Sequence, residues 1–353
     1  MAHDYTRPTS SYSWQPIEDL QGSYNSFASE ELSALAPIWK EQKENLKEQG
    51  AFQAFNKRLE REWAIETGII EGLYNIDRGT TQVLIERGID SSFIPHGSTD
   101  RSPEFIVKII RDQQNVLEGL FDYVTRRRDL SKSYIKELHA EFTQNQDEVE
   151  ALDQFGRLIS VRLEKGKFKS HPNNPLRDDG TIHEYCPPEH VDAEVDRLLE
   201  MHHSHMAGGV PPEVESAFLH HRFTQIHPFQ DGNGRVSRAI ASLVFLRSDW
   251  FPLVITREQR TEYLDALQSA DYGELQPLID LFAKRQKAQF TEALSLSSEV
   301  LRQHVPRCQV IAAATERLKA RFEGKKEEQS RVFETVNHLE EFCIGYFGQL
   351  REE

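Results

Sequence analysis

With 353 residues, the chain is long enough to bury a substantial core and to form two or three structural units. A formal charge of −15 and a pI near 5.5 exclude the broad electropositive footprint of a general nucleic-acid binder, so no direct nucleic-acid binding is expected. Cys186, Cys308 and Cys343 are odd in number and form no close pair, as in reduced thiols. The first residues lack the basic-then-apolar order of a signal peptide, and no apolar run approaches the roughly 20 residues of a membrane helix. The expectation is a cytoplasmic protein without membrane contact.

In chain order, residues 1–28 are polar and rich in Pro, Ser and Tyr, and read as an N-terminal arm that packs in part. Residues 29–66 turn helical, with Leu32, Leu35, Ala36 and Trp39, then Phe52, Phe55, Leu59 and Trp63, at three- and four-residue steps. Further helices are expected over 80–86, 103–125 and 131–143; the last starts at a capping Ser131 and repeats Tyr134, Ile135, Leu138 and Phe142 on one face. Residues 159–186 carry short strand-like pieces around a Pro/Asn/Asp/Gly-rich middle, which is read as a β-hairpin. Helical spacing resumes over 191–203 and 211–226. Residues 236–248 are apolar nearly all round, so that helix should be central and buried. Two amphipathic helices follow over 256–269 and 275–294, and residues 295–353 read as a helical appendage.

The densest chemistry lies between two of these helices, in Ile226-His-Pro-Phe-Gln-Asp-Gly-Asn-Gly-Arg-Val-Ser-Arg238. Glycines flanking Asn233 at a helix entry let backbone N–H groups curl into an anion-binding concavity. Arg235 and Arg238, three apart, can add charge to a bound phosphate. Asp231 is a hard oxygen ligand of the kind Mg²⁺ on a nucleotide requires. His227, with an ordinary pKa of about 6.5, can accept a proton from an attacking hydroxyl. Attack of a hydroxyl on a nucleotide phosphate is the reaction class that follows. Asp-Gly-Asn-Gly is also a good turn, and singly each residue is more often structural; two arginines entering an apolar helix are harder to explain that way, because buried guanidinium needs a partner.

The segment 227–238 matches the Fic signature HxFx(D/E)GNGRxxR, and the chain resembles Fic-domain proteins from about residue 62 to 294. The resemblance implies an all-α fold, a helical bundle around a central buried helix, with a small β-hairpin flap over the active site. It implies transfer of AMP from ATP to a Ser, Thr or Tyr hydroxyl of a target protein, with release of pyrophosphate. His227 would be the general base and Asp231 the ligand of Mg²⁺ (or Mn²⁺). Gly232, Asn233 and Gly234 would form the anion hole, with Arg235 and Arg238 on the outer phosphates. A kinase-like branch carries lysine at the second glycine, so Gly234 favours AMP transfer.

Glu66-Thr-Gly-Ile-Ile-Glu-Gly72 fits the family's inhibitory pattern (S/T)xxxE(G/N), on a helix expected near 63–74. Thr67 and Glu71, four apart, share one helical face. By resemblance Glu71 pairs with Arg238 and keeps the γ-phosphate of ATP from settling; related enzymes also use this glutamate to remove AMP, and a homodimer is common among them. The alternating Thr181-Ile-His-Glu-Tyr185 can accept a target segment as an added strand, although Lys169 stands where many relatives have arginine. Three other readings stay open: transfer of another phosphate-containing group or kinase-like chemistry, a catalytically silent helical interaction protein, and a metal hydrolase built on His202-His-Ser-His205 with His220, His221 and His227. The last lacks a His pair at zinc-helix spacing between 202 and 205 and any HExxH.

Overall fold

The computed structural model describes residues 10–22, 24–46, 50–95, 97–152, 158–175 and 180–301. The chain divides into two compact units, Met1–Ala293 and Leu294–Glu353. The expected appendage beyond residue 301 and the first nine residues of the arm lie outside the described residues.

The described residues are mostly helical. Helices α1 (Glu30–Leu46), α2 (Gly50–Ile70), α3 (Arg78–Arg87) and α4 (Pro103–Thr125) precede α5 (Lys132–Phe142), α6 (Pro188–Gly208), α7 (Pro212–Ile226), α8 (Asn233–Arg247), α9 (Arg260–Asp271) and α10 (Gln276–Leu301). Their ends follow local chemistry. The Ser102 hydroxyl accepts from Phe105 N–H ahead of Pro103, and the Ser131 hydroxyl accepts from Tyr134 N–H. Helix α8 is buried on every side, with Val236, Ala239, Ile240 and Phe245 fully enclosed. It packs most extensively on α7 and also meets α4 and α5, while α2 lies on α4. A central helix with no polar face is stable only where neighbours cover it all round.

Of the small β content, one part corrects the sequence reading. An antiparallel hairpin is present, but it is β2 (Glu148–Leu152) with β3 (Leu158–Arg162), with Glu148 opposite Arg162. Among the described residues, the hairpin expected over 159–186 does not form as such. Residues 158–162 are taken up by 148–152, and beyond the Pro-rich middle the His183 N–H donates to Pro175 O at 3.2 Å and the Tyr185 N–H to Asn174 Oδ1 at 2.9 Å. Strand β4 (Ile182–His183) instead runs parallel to β1 (Ser10–Tyr12), supplied by the arm.

The arm therefore packs more than its composition implies. Ile17 is fully buried, and its N–H donates to Glu194 Oε2 at 2.8 Å. Asp19 Oδ1 reaches His205 Nε2 at 2.7 Å, while Glu215, itself enclosed, bonds His205 Nδ1 and His202 Nδ1 at 2.6 Å each. Burial opposes charge on His205, yet Glu215 and Asp19 outweigh it and raise the pKa above the ordinary value. The protonated imidazole is thus favoured by folding: its stabilisation is complete below about pH 6.5 and is lost as pH rises through the raised folded value. Thermal melts should show a steeper loss of Tm above pH 6.5 for the native chain than for Asp19→Asn.

Candidate active site

The α7–α8 connection sets the site. His227 closes α7 in the left-handed region, φ 51° and ψ 59°, with its N–H on Phe223 O at 2.9 Å. A non-glycine residue there is strained, and such positions concentrate at functional sites. Its Nδ1 donates to Thr224 O at 3.2 Å, which leaves the lone pair on Nε2. The Tyr185 ring lies flat against the imidazole, centroids 3.7 Å apart and 9° from parallel. Burial, followed by the positive charge of Lys169, lowers the His227 pKa to about 3. The ring is therefore neutral at physiological pH, well below the ordinary value from which the sequence reading started. Lys169 is itself buried; its Nζ donates to Asn173 Oδ1 at 2.8 Å, and burial lowers its pKa to about 7.

Asp231 stands four residues on. Burial works against its charge, but the Arg235 guanidinium, the Gln146 amide and the Gly232 N–H hold its carboxyl below the usual range. His139, fully buried on α5, fixes the loop from behind: Nδ1 accepts the Gly166 N–H at 2.8 Å, so Nε2 donates to Asp231 O at 3.1 Å. Its ring stacks on Phe229 at 3.9 Å, and burial lowers its pKa to about 4, keeping it neutral. The Asn233 side chain closes the turn from within, accepting from Phe229 N–H at 2.8 Å and donating to Phe229 O at 2.7 Å.

Gly232 caps α8 at φ 78° with no side-chain capping bond, so the first amides of α8 open onto the loop. That opening is held by a carboxylate. A methyl group built on Gly234 would overlap Glu71 Oε1, which places the Glu71 carboxylate directly on the first turn of α8. The same Oε1 accepts from Arg238 Nη2 at 2.9 Å. Arg238 also donates to Thr67 O at 3.3 Å and, at the 3.5 Å limit, to Thr67 Oγ1. Burial opposes the Arg238 charge, but the Glu71 carboxylate outweighs it and raises the pKa.

The end of α2 that carries Glu71 is firmly seated. Glu66 takes the Arg257 N–H at 2.8 Å and Arg257 Nη2 at 2.9 Å, and Trp63 Nε1 donates to Ser242 Oγ at 3.3 Å. Tyr74 Oη donates to Ile65 O at 3.0 Å across Gly68, where a side chain would collide with the phenol. Gly68→Ala is expected to cost about 1–3 kcal/mol through overpacking, read as a lower midpoint in urea denaturation.

The structure brings Thr67, Glu71, Gly234 and Arg238 together, and separately His227, Asp231 and Arg235 along the loop. The two arginines diverge. Arg235 points to α5, donating to Phe142 O and Gln146 Oε1 at 2.9 Å each and to Asp231 Oδ2 at 3.4 Å, while its buried Nε has no partner among the described residues. Four histidines of the metal-site reading have structural partners: His202 and His205 on Glu215, His220 Nε2 on the Tyr263 hydroxyl at 2.8 Å, and His221 on Asp271 at 3.0 Å. Sequence reasoning missed His139, Gln146 and the stacking of Tyr185. An apolar-face histidine eight residues after the capping Ser131 was the signal available for His139.

Residues 129–245 match the model of the Fic/DOC family. Among curated relatives, protein adenylyltransferase fic-1 of Caenorhabditis elegans is 28% identical over 174 residues, 48% of this chain and 30% of the relative. Protein adenylyltransferase Fic of Aedes aegypti is 36% identical over 72 residues, 20% of this chain and 14% of the relative. The chain thus spans less than a third of these relatives' length. Among solved structures, a Fic domain containing signaling protein from Bacteroides thetaiotaomicron superposes with a TM-score of 0.60 at 21% identity, covering 76% of this chain and 97% of that one. A portion of Fic-1 from C. elegans gives 0.55 at 22% identity, covering 75% and 70%. At such identities the structures speak for the fold. No described helix is long and apolar enough to cross a membrane. Residues 129–245, with the signature loop and central helix, thus match the Fic/DOC family in sequence, and the surrounding bundle shares its fold with the solved Fic structures.

Proposed function

We propose that this chain transfers AMP from ATP to a hydroxyl side chain of a protein, and that Glu71 restrains the reaction. The observation that carries the reading is the Glu71 carboxylate on the first turn of α8, bonded to Arg238. An internal anion sits where exposed helix amides and a buried arginine would otherwise hold a phosphate.

In the reaction, the oxygen of a Ser, Thr or Tyr hydroxyl attacks the α-phosphorus of ATP and its proton passes to His227 Nε2. The bond from the α-phosphorus to the bridging oxygen breaks, and pyrophosphate leaves. The tautomer fixed by Thr224 O and the ring plane fixed by Tyr185 orient Nε2 for this transfer. The α8 amides at Gly232–Gly234 and the guanidinium of Arg238 stabilise phosphate charge once Glu71 has left, and the unpartnered Arg235 Nε offers one further donor. A divalent cation fits the donor set: Asp231 is one ionised carboxylate at the rim of the cradle, and Mg²⁺ or Mn²⁺ is typically held by one or two carboxylates, water and substrate phosphates. When bound, such an ion would neutralise phosphate charge.

Because His227 is already neutral well below pH 7, the rate should not fall through protonation of His227 between pH 7.5 and 5.5. A pH profile of single-turnover rates, on a form in which chemistry is limiting, checks this. Removal of AMP, by attack of water on the phosphorus with the protein hydroxyl leaving, is a second activity that the resemblance implies for Glu71. The reaction class is tested with ATP labelled at either the α- or the γ-phosphate, on the Glu71→Gly form. Acid-stable α-label in protein is expected; transfer of γ-label would overturn the reading in favour of kinase chemistry.

A further inference from the structure

The strand edge beside His227 is already in use. Tyr12 lies opposite His183 in the parallel β1–β4 pair, and Glu184 N–H donates to Tyr12 O at 2.9 Å. The Tyr12 ring stacks on His183 with centroids 4.7 Å apart and meets Tyr272 edge-on at 6.4 Å. Its hydroxyl accepts from Gln225 Nε2 of α7 at 2.9 Å. Two residues past β4, Tyr185 lies flat on His227. A polypeptide paired with β4 therefore borders the imidazole that the proposed reaction needs.

Beyond Tyr12 the arm changes character. Ser13, Gln15 and Pro16 are exposed, whereas Ile17 and Asp19 are anchored on Glu194 and His205. A strand of three residues is too short to be stable by itself, but an anchor five residues away keeps it at high local concentration. Such an element pairs readily and releases readily.

We propose that Ser10–Tyr12 is a resident strand on the edge of β4, displaced by an extended, hydroxyl-bearing segment of a protein substrate. The inference rests on the AMP-transfer reading and adds a second restraint to it. Glu71 guards the nucleotide side of the site and β1 guards the polypeptide side, so release of one leaves the other in place. The incoming segment would take over the Glu184 N–H and the place of the Tyr12 ring on His183.

The test uses the full chain carrying Glu71→Gly, alone and with Tyr12→Pro, which removes both the strand N–H and the ring. Hydrogen exchange of the peptide covering residues 181–186 should be faster with Tyr12→Pro, and α-label from ATP into an unfractionated soluble protein extract should rise by about threefold or more, with unchanged affinity for ATP. Tyr12→Phe, which keeps strand and stacking, should match the parent. Ser11→Pro serves as a second strand-breaking form should Tyr12→Pro fold poorly. Unchanged exchange, faster exchange with no gain in label, or an equal gain from Tyr12→Phe would each overturn the inference. Absence of α-label from Glu71→Gly itself would instead overturn the AMP-transfer reading.

Discussion

Glu71→Gly is expected to raise incorporation of α-phosphate label into protein by roughly tenfold or more, the scale of a coupling of about 1.4 kcal/mol or greater. The Glu71 carboxylate lies on the first turn of α8 and bonds Arg238 Nη2; on the proposed reading an incoming phosphate would compete for both. Removing the carboxylate also carries a cost. Arg238 is buried and, among the described residues, keeps its bonds to Thr67 and the nearby Tyr263 hydroxyl, so the ligand-free variant should lose on the order of 1–3 kcal/mol. ATP should recover much of that loss, so the rise in Tm on adding ATP should be larger for Glu71→Gly than for the native chain. Equal ATP-induced shifts in the two proteins would show that Glu71 does not contest the phosphate position. Arg238→Ala should not release the enzyme despite breaking the same ion pair, because it deletes the phosphate donor together with the brake.

His227→Ala, introduced into Glu71→Gly, is expected to lower α-phosphate transfer by about 10²- to 10⁴-fold, the usual worth of a positioned general base. ATP affinity, measured by calorimetry, should be nearly unchanged, since no phosphate donor is removed. A loss of both rate and affinity would assign the imidazole to binding. Tyr185→Ala separates positioning from chemistry: it frees the imidazole plane without deleting the base, so a smaller loss in rate is expected, with ATP affinity again preserved.

Most of the helical framework was legible because its cause is local. Periodic apolar residues place α4 and α5 almost to the residue, and Ser102 and Ser131 mark their starts through bonds to amides three positions on. Residues 236–248, apolar all round, correctly announced a central helix. The hairpin was misplaced for an equally physical reason. Residues 148–152 have no composition that favours a strand over a helix, yet they take up the strand-like residues 158–162 that the sequence reading assigned to the later hairpin.

Residue types and their order were enough to nominate His227, Asp231, the glycines and Arg238 as a phosphate-handling loop, while Glu71 was nominated as the carboxylate facing it only through the resemblance to Fic proteins. Tertiary structure decided who faces whom. Glu71 and Arg238 are 167 positions apart, and only the seating of α2 by Glu66, Trp63 and Tyr74 brings the carboxylate onto the first turn of α8. Arg235 and Arg238, neighbours on one helix, part company because their acceptors lie on different elements, α5 and α2. His139 holds the loop through a backbone carbonyl, and the arm reaches β4 through backbone pairing; neither leaves a mark in the side chains that sequence reasoning weighs. Local order writes propensity and chemistry into a chain, but burial, hydrogen-bond acceptors and strand edges arise only when distant segments are folded against one another.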